Sequence, residues 1–245
     1  MIDTAVTVDE LAALLRRRRW VALTGAGIST DSGIPDYRGA GSRPTSPIQY
    51  DDFLRSADVR RRYWARSLLG FRSFGRALPN TGHRALAALA DRGLGTVITQ
   101  NVDGLHRRAG SHNVLELHGN LFRAKCFSED RPVESGPDGD EVPPRCPRCG
   151  GLLRPDVVWF GEMLPASTLH AAEHAALTAD IFFSIGTSAL VYPAADLPFS
   201  ALAAGVTVVE INPQPTPLSP HVTFSLHGAA GAVLPALVAR VWEAG

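Results

Sequence analysis

The 245 residues carry 24 Lys+Arg against 24 Asp+Glu, a formal net charge of zero, and so lack the basic balance of a nucleic-acid groove. Hydrophobic residues make up 45% and charged residues 20%, a globular composition rather than a disordered one. No segment reaches the ~18 apolar residues of a membrane span, and the acidic start without an apolar core is not a signal peptide.

In chain order, residues 8–18 read as a helix. Asp9 and Glu10 sit early, Leu11, Leu14 and Leu15 share a face, and the run Arg16, Arg17, Arg18, Arg19 suits the carbonyl end. Residues 20–23 form a short apolar strand, followed at once by "TGAGIS" (24–29). Such a glycine turn brings backbone N–H groups and a helix N-terminus up to a phosphate pair. The third glycine of G-x-G-x-x-G is absent, since Thr30 stands there, so by itself the segment also fits a tight structural turn. The next loop, "DSGIPDYRG", holds Asp36, Tyr37 and Arg38 in a row, more than a connector needs.

A helix follows Pro79-Asn80 and stops at Gly93; residues 95–99 form a second strand and 114–117 a third. "DVVWF" (156–160), "IFFSI" (181–185) and "VTVVEI" (206–211) read as further buried strands. "PASTLHAAEHAALTAD" lies between two of them as a helix, and "AVLPALVARVWEAG" closes the chain as another. Strands alternating with helices predict an α/β fold, a Rossmann-like doubly wound parallel sheet. Two stretches interrupt it: an arginine- and aromatic-rich helical segment (39–78) and a Pro/Gly/Asp-rich segment with all three cysteines (120–155). The expected division is a sheet domain of 1–38, 79–119 and 156–245, with the insertions, the second ribbon-like, forming a smaller lobe.

Chemistry concentrates at the carboxyl ends of the strands, where open α/β sheets bind ligands. "TQNVDGLH" loads one strand end with Gln100, Asn101 and Asp103, groups that orient ribose hydroxyls or accept from a carboxamide N–H. An Asx-type turn is the plainer reading. "ELHGN" puts His118 just after the next strand; a lone histidine is more often structural, but at a strand's carboxyl end an ordinary pKa near ~6.5 suits a general base. "IGTSALVYP" and "EINPQ" are two more polar strand ends.

Six ordered motifs, "GAGIST.SGIPDYR", "TQNVDGLH..AG", "ELHG", "C..CGG.LRPDVVWFGE", "IGTSALVYPA" and "EINP", resemble the sirtuins, the Sir2 family of NAD-dependent protein-lysine deacylases. The resemblance covers residue 21 to the C-terminus. It implies a Rossmann domain with a small lobe of a helical module and a zinc ribbon. It implies that Gly25, Ala26, Gly27 and Ser29 approach the pyrophosphate and ribose, that Asp36, Tyr37 and Arg38 form a mobile cofactor loop, and that Gln100, Asn101, Val102 and Asp103 line the nicotinamide and its ribose. Gly186, Thr187, Ser188 and Asn212 would hold the adenosine half, with Ala230 near the adenine. Asn101 and Asp103 would work with His118 as the catalytic set. Val158, Phe160, Gly161 and Glu162, with Val191 and Tyr192, resemble two strands that sandwich an acyl-lysine peptide. In the implied reaction the acyl oxygen attacks C1′ of the nicotinamide ribose, a positioning and electrostatic task. His118 then deprotonates a ribose hydroxyl, and the acyl group leaves as O-acyl-ADP-ribose.

Tyr63 and Arg66, as Y-x-x-R, lie about one helical turn apart. Sirtuins that remove succinyl, malonyl or glutaryl groups carry such a pair, the arginine binding the distal carboxylate; a plain surface charge is the alternative for Arg66. The segment around the pair resembles class II, lipoamidase-like sirtuins, whereas residues from Trp159 on look more like bacterial class III. Acidic acyl-lysine is the expected substrate, with slower deacetylation. Zinc ribbons of this family use two C-x-x-C pairs. Here Cys146 and Cys149 are intact, but Cys126 is followed three residues on by Glu129. Three thiolates, with Glu129 or a water, suit zinc less well than four, and a lobe held by packing alone is the alternative. The expected partners are acyl-lysine proteins, with no nucleic acid and no membrane, in the cytoplasm. Competing readings are ADP-ribosyl transfer, NAD hydrolysis, an NAD or ADP-ribose sensor without turnover, and, weakest, a dehydrogenase.

Overall fold

The computed structural model describes residues 4–15, 18–36, 47–133 and 143–243. Its elements run α1 (Thr4–Leu15), β1 (Trp20–Thr24), α2 (Tyr50–Arg55), α3 (Ala57–Arg76), α4 (Thr81–Leu89), β2 (Leu94–Thr99), α5 (Leu105–Arg108), β3 (Val114–Glu116), β4 (Gly119–Cys126), β5 (Pro132–Val133), β6 (Leu153–Val157), α6 (Ala166–Thr178), β7 (Ile181–Ile185), α7 (Asp196–Ala203), β8 (Thr207–Asn212), β9 (Phe224–His227) and α8 (Ala230–Glu243).

Six strands form one sheet in the order β3-β2-β1-β7-β8-β9, and every pairing in it is parallel. All five residues of β1, and all five of β7, are buried. That is why these strands read as continuous apolar runs rather than alternating ones. One face packs Val8, Leu11 and Leu15 of α1, Leu86 and Leu89 of α4, and Leu234 and Leu237 of α8. The other packs Ala172 and Ala176 of α6 and Leu197 and Ala201 of α7. The strand order reverses between β1 and β7, so the crevice at their carboxyl ends is the switch point where such sheets take ligands.

The smaller lobe is an antiparallel sheet, β5-β4-β6, covered by α2 and α3. Trp64 of α3 is fully buried against Ala124, Cys126, Cys146 and Leu153, and its indole N–H donates to the Leu153 carbonyl at 3.2 Å. Both insertions therefore belong to one lobe.

Several expectations need correction. "DVVWF" is not a strand of the parallel sheet. The strand here is β6, shifted three residues earlier, and it pairs with β4 in the small lobe. An apolar β-branched run cannot reveal which sheet will recruit it. β4 begins at Gly119 and β6 ends at Val157, so the small-lobe ladder starts one residue before and ends two residues after the 120–155 segment. The first helix starts at Thr4, which takes Asp9 and Glu10 out of its first turn, and Leu14 is exposed. The "TGAGIS" turn leads into two 3-10 turns, at Ala26–Ile28 and Thr30–Ser32, rather than a long helix. β4, β9 and α7 were not anticipated.

Candidate active site

The two strand-end loops at the switch point lock together through glycine. Gly25 N–H donates to the Ile185 carbonyl at 3.0 Å and Gly27 N–H to the Gly186 carbonyl at 2.8 Å. A Cβ on Gly27 would lie 2.8 Å from Cα of Gly186, and one on Gly186 would lie 2.5 Å from the Ile28 nitrogen. Gly186 also adopts φ +58°, a left-handed value that favours glycine. These glycines are demanded first by loop-on-loop contact, and the backbone of residues 25–29 is held at the crevice as a result.

Behind this cradle lies a buried polar network. Ser29, with no exposure, donates its hydroxyl to Oδ2 of Asp103 at 2.7 Å. Asn101 spends both amide protons, one on the Gly25 carbonyl at 3.0 Å and one on Ser29 Oγ at 3.1 Å. Its Oδ1 is then the group left to address a ligand, as an acceptor. Asp103 Oδ1 accepts from the Leu105 N–H at 2.9 Å. Burial pushes the Asp103 carboxyl above the usual range, opposed by the Leu105 and Ser29 hydrogen bonds. Gln100 Nε2 donates to Thr187 Oγ1 at 3.0 Å, and Asn212 Nδ2 to the Thr187 carbonyl at 3.2 Å. Gln100, Thr187 and Asn212 thus bind the ends of β2, β7 and β8 into one rim. Ala230 is buried at the start of α8, Ser188 is half-buried in the loop after β7, and Val102 and Asp36 are half-buried. Tyr37 and Arg38 lie outside the described residues.

His118 stands on the same crevice, half-buried. Its Nδ1 is 2.9 Å from the Gln100 carbonyl oxygen. A carbonyl only accepts, so Nδ1 must carry the proton and Nε2 is the basic nitrogen. Burial lowers the His118 pKa, with the Gln100 hydrogen bond pulling the other way. The imidazole is therefore neutral near pH 7, the state a general base requires. The following residue has to be glycine. Gly119 adopts φ +78°, and a Cβ there would lie 2.0 Å from the Asp156 carbonyl oxygen.

The Val158 N–H donates to the His118 carbonyl at 2.9 Å, which places the "VWFGE" segment beside the histidine. Neither that segment nor residues 191–192 forms a strand of a sheet: Phe160 makes one isolated bridge with Gln49, and Tyr192 lies in a turn. A strand needs a neighbouring edge, and these two segments do not pair with each other. Phe160, Leu190 and Tyr192 are exposed apolar groups here. Glu162 is held by Arg154, whose Nη2 reaches both carboxylate oxygens at 2.7 and 2.8 Å; Gly161 turns the chain between them. Tyr63 packs its ring 4.3 Å from the Trp159 ring and edge-on to Phe53 at 5.8 Å. Arg66, one turn further along α3, is exposed.

The three cysteine sulfurs lie within 4.8 Å of one another, with Cys126 and Cys149 at 3.5 Å. Thiolates at about 2.3 Å around a tetrahedral zinc sit about 3.8 Å apart, so the cluster fits three of four zinc ligands. Glu129 is ion-paired to Arg148 instead.

His83, Asn80 and Thr24 were not singled out from the sequence. Asn80 caps α4, accepting from Gly82 N–H at 2.9 Å, and donates to the Ile28 carbonyl at 2.7 Å. His83 Nδ1 lies 3.0 Å from Asn80 Oδ1, and its Nε2 lies 3.4 Å from Ser29 Oγ. His106, buried on α5, places Nε2 2.9 Å from Thr24 Oγ1 and packs its ring 4.8 Å from the His83 ring at a tilt of 59°. His106 is a buried packing residue here. The spacing Asn80-x-x-His83 was the available signal, since it makes a capping box.

Comparison with known proteins agrees with this geometry. A family model described as the Sir2 family matches residues 25–193. An NAD-dependent protein deacylase 2 of Pyrobaculum aerophilum is 46% identical, over 93% of this chain and 93% of its own length. An NAD-dependent protein deacylase of Mycobacterium tuberculosis is 43% identical, over 91% and 98%. Among solved structures, a Sir2 homolog–NAD complex superposes with a TM-score of 0.87 at 40% identity, covering 100% of this chain and 95% of that one. A Sir2–p53 peptide–NAD+ complex superposes at 0.83 with 34% identity, covering 96% and 97%. Glycine cradle, amide rim and strand-end histidine thus fall inside a match that runs through most of the sequence, and the chain belongs to the Sir2 family.

Proposed function

We propose that this chain is an NAD-dependent protein-lysine deacylase that releases nicotinamide and O-acyl-ADP-ribose, and that it takes acidic acyl groups as well as acetyl. The observation that carries the reading is His118: its Nδ1 is tied to a carbonyl, its Nε2 is basic, and it sits between the amide rim and the Val158 segment. NAD supplies the ribose carbon at which nicotinamide is displaced. Residues 25–29 bring their backbone up to its phosphates, with the N–H groups of Gly25, Gly27, Ile28 and Ser29 spent on holding the turn in place. Gln100 and Asn101 orient the nicotinamide half, and Thr187 and Asn212 bound the adenosine half. Asp103, buried behind Ser29, fixes the Asn101 loop. His118 takes the proton of a ribose hydroxyl, which then attacks the acyl carbon.

The peptide lies between residues 158–162 and 191–192, whose exposed Phe160 and Tyr192 would be covered by it. A neighbour solved with a p53 peptide and NAD+ supports a peptide substrate. Tyr63, tilted against the Trp159 ring, puts α3 next to the "VWFGE" segment, and Arg66 is the candidate ligand for a distal carboxylate. Three free thiols fit a reducing cytoplasmic compartment, and among the described residues no helix is long and apolar enough to cross a membrane. The test is to incubate protein and NAD with acetyl, succinyl, glutaryl and lipoyl peptides and follow nicotinamide and deacylated peptide together. Equal release of both is expected. Nicotinamide without peptide turnover would favour NAD hydrolysis or ADP-ribosyl transfer instead.

A further inference from the structure

The two turns that carry the cysteines share one backbone design. In the first, Asp130 N–H donates to the Cys126 carbonyl at 2.8 Å and Cys126 N–H to the Arg131 carbonyl at 2.8 Å. In the second, Gly150 N–H donates to the Cys146 carbonyl at 2.9 Å and Cys146 N–H to the Gly151 carbonyl at 2.6 Å. The fifth residue of each turn is left-handed, Asp130 at φ +48° and Gly150 at φ +71°. Residue by residue the turns correspond, so Glu129 occupies the position that Cys149 occupies in the other.

Glu129 does not join the cluster. Its carboxylate is ion-paired with the guanidinium of Arg148, which lies between Cys146 and Cys149 in sequence. Among the described residues, no imidazole or carboxylate joins the three sulfurs in one ligand group. Cys126 and Cys146 are buried, whereas Cys149 is exposed, so the cluster has one side toward solvent. Three thiolates and a divalent ion carry one net negative charge, and a carboxylate ligand would add another.

We infer that Cys126, Cys146 and Cys149 form a three-thiolate site for a thiophilic divalent ion whose fourth coordination position, vacated by the Cys-to-Glu difference at 129, is open to a small exogenous donor. Arg148 keeps Glu129 away from that position. Soft thiolates select ions such as zinc, and an open position is the arrangement that admits a fourth, exchangeable ligand.

The full-length chain is loaded with Co2+, whose visible and thiolate charge-transfer bands report its ligands, and titrated with imidazole. One cobalt per chain and a saturable spectral change are expected. The variant Glu129→Cys should show stronger thiolate charge transfer, no response to imidazole, and zinc retention against a chelator at least about tenfold tighter. Glu129→Ala should leave the cobalt spectrum as it is. Absence of stoichiometric metal, a wild-type spectrum insensitive to imidazole, or loss of metal in Glu129→Ala would each overturn the inference. The imidazole titration needs no variant, so a misfolded mutant would not protect it.

Discussion

The Ser29 hydroxyl lies 2.7 Å from Oδ2 of Asp103, although the two residues are 74 positions apart in sequence. Ser29 also accepts from Asn101, so one oxygen ties the glycine turn to the strand end that carries Asn101 and Asp103. Ser29→Ala removes a donor from a buried carboxylate and an acceptor from Asn101. A buried group left unpaired costs about 1–3 kcal/mol. NAD-dependent nicotinamide release should fall at least about tenfold, with a lowered melting temperature. Unchanged release would show that the network does not position Asn101.

His118→Ala should abolish deacylation and leave the melting temperature nearly unchanged. The pH profile offers a second check. Burial lowers the His118 pKa, so the basic form persists below the usual ~6.5. The acid limb of kcat/KM for peptide should therefore fall below pH 6.5. A limb at or above that value would contradict the assignment.

The buried pair His83 and His106 makes stability acid-sensitive. Burial, then the nearby charge of Arg84, lowers His83 to about 4; burial, then His83, lowers His106 to about 3. Both groups are neutral when folded and take up protons more readily when unfolded, so stability falls as pH drops below about 6.5 and continues to fall toward 3. The raised Asp103 pKa acts in the opposite sense, so the comparison must be between variants. His106→Gln keeps a polar group toward Thr24 and should flatten the fall in melting temperature between pH 6.5 and 4. An unchanged slope would exclude His106 as a cause.

Arg154 is nearly inaccessible and meets Glu162 through both carboxylate oxygens, with Tyr50 stacked on its guanidinium at 5.4 Å. Removing one partner of a buried pair typically costs about 3–5 kcal/mol. Glu162→Ala should destabilise the chain on that scale in denaturant titrations and raise KM for peptide more than for NAD, because Glu162 also accepts from the Trp159 N–H. Equal effects on the two KM values would point to a purely structural role.

Arg66→Met tests the acyl assignment. Succinyl-peptide turnover should drop at least about tenfold relative to acetyl, the loss of a charge-assisted pair. A preserved succinyl-to-acetyl ratio would remove Arg66 from the acyl pocket.

Much of this was legible along the chain. Residues 20–24 and 181–185 advertise themselves as central strands because burial on both faces demands nearly continuous apolar runs, whereas 94–99 shows this only at Val97 and Ile98. The polar strand ends Gln100, Asn101 and His118 stand out because a strand leaving a sheet has no local need for them. The "DVVWF" run was assigned to the wrong sheet because β propensity carries no address: β6 is recruited by β4 through pairings such as Ala124 with Pro155. His83 escaped notice because its partner Ser29 is 54 residues away.

Sequence alone determined the alternation of strand and helix, the site of the polar loops, and the defect at Glu129, since each is written in neighbouring residues. Tertiary structure alone decided that Gly25 and Gly27 press on Gly186, that Ser29 reaches Asp103, and that the Cys126 and Cys146 turns superpose in design. Those relationships depend on where distant segments meet, and that is set by burial of the shared core rather than by local preference.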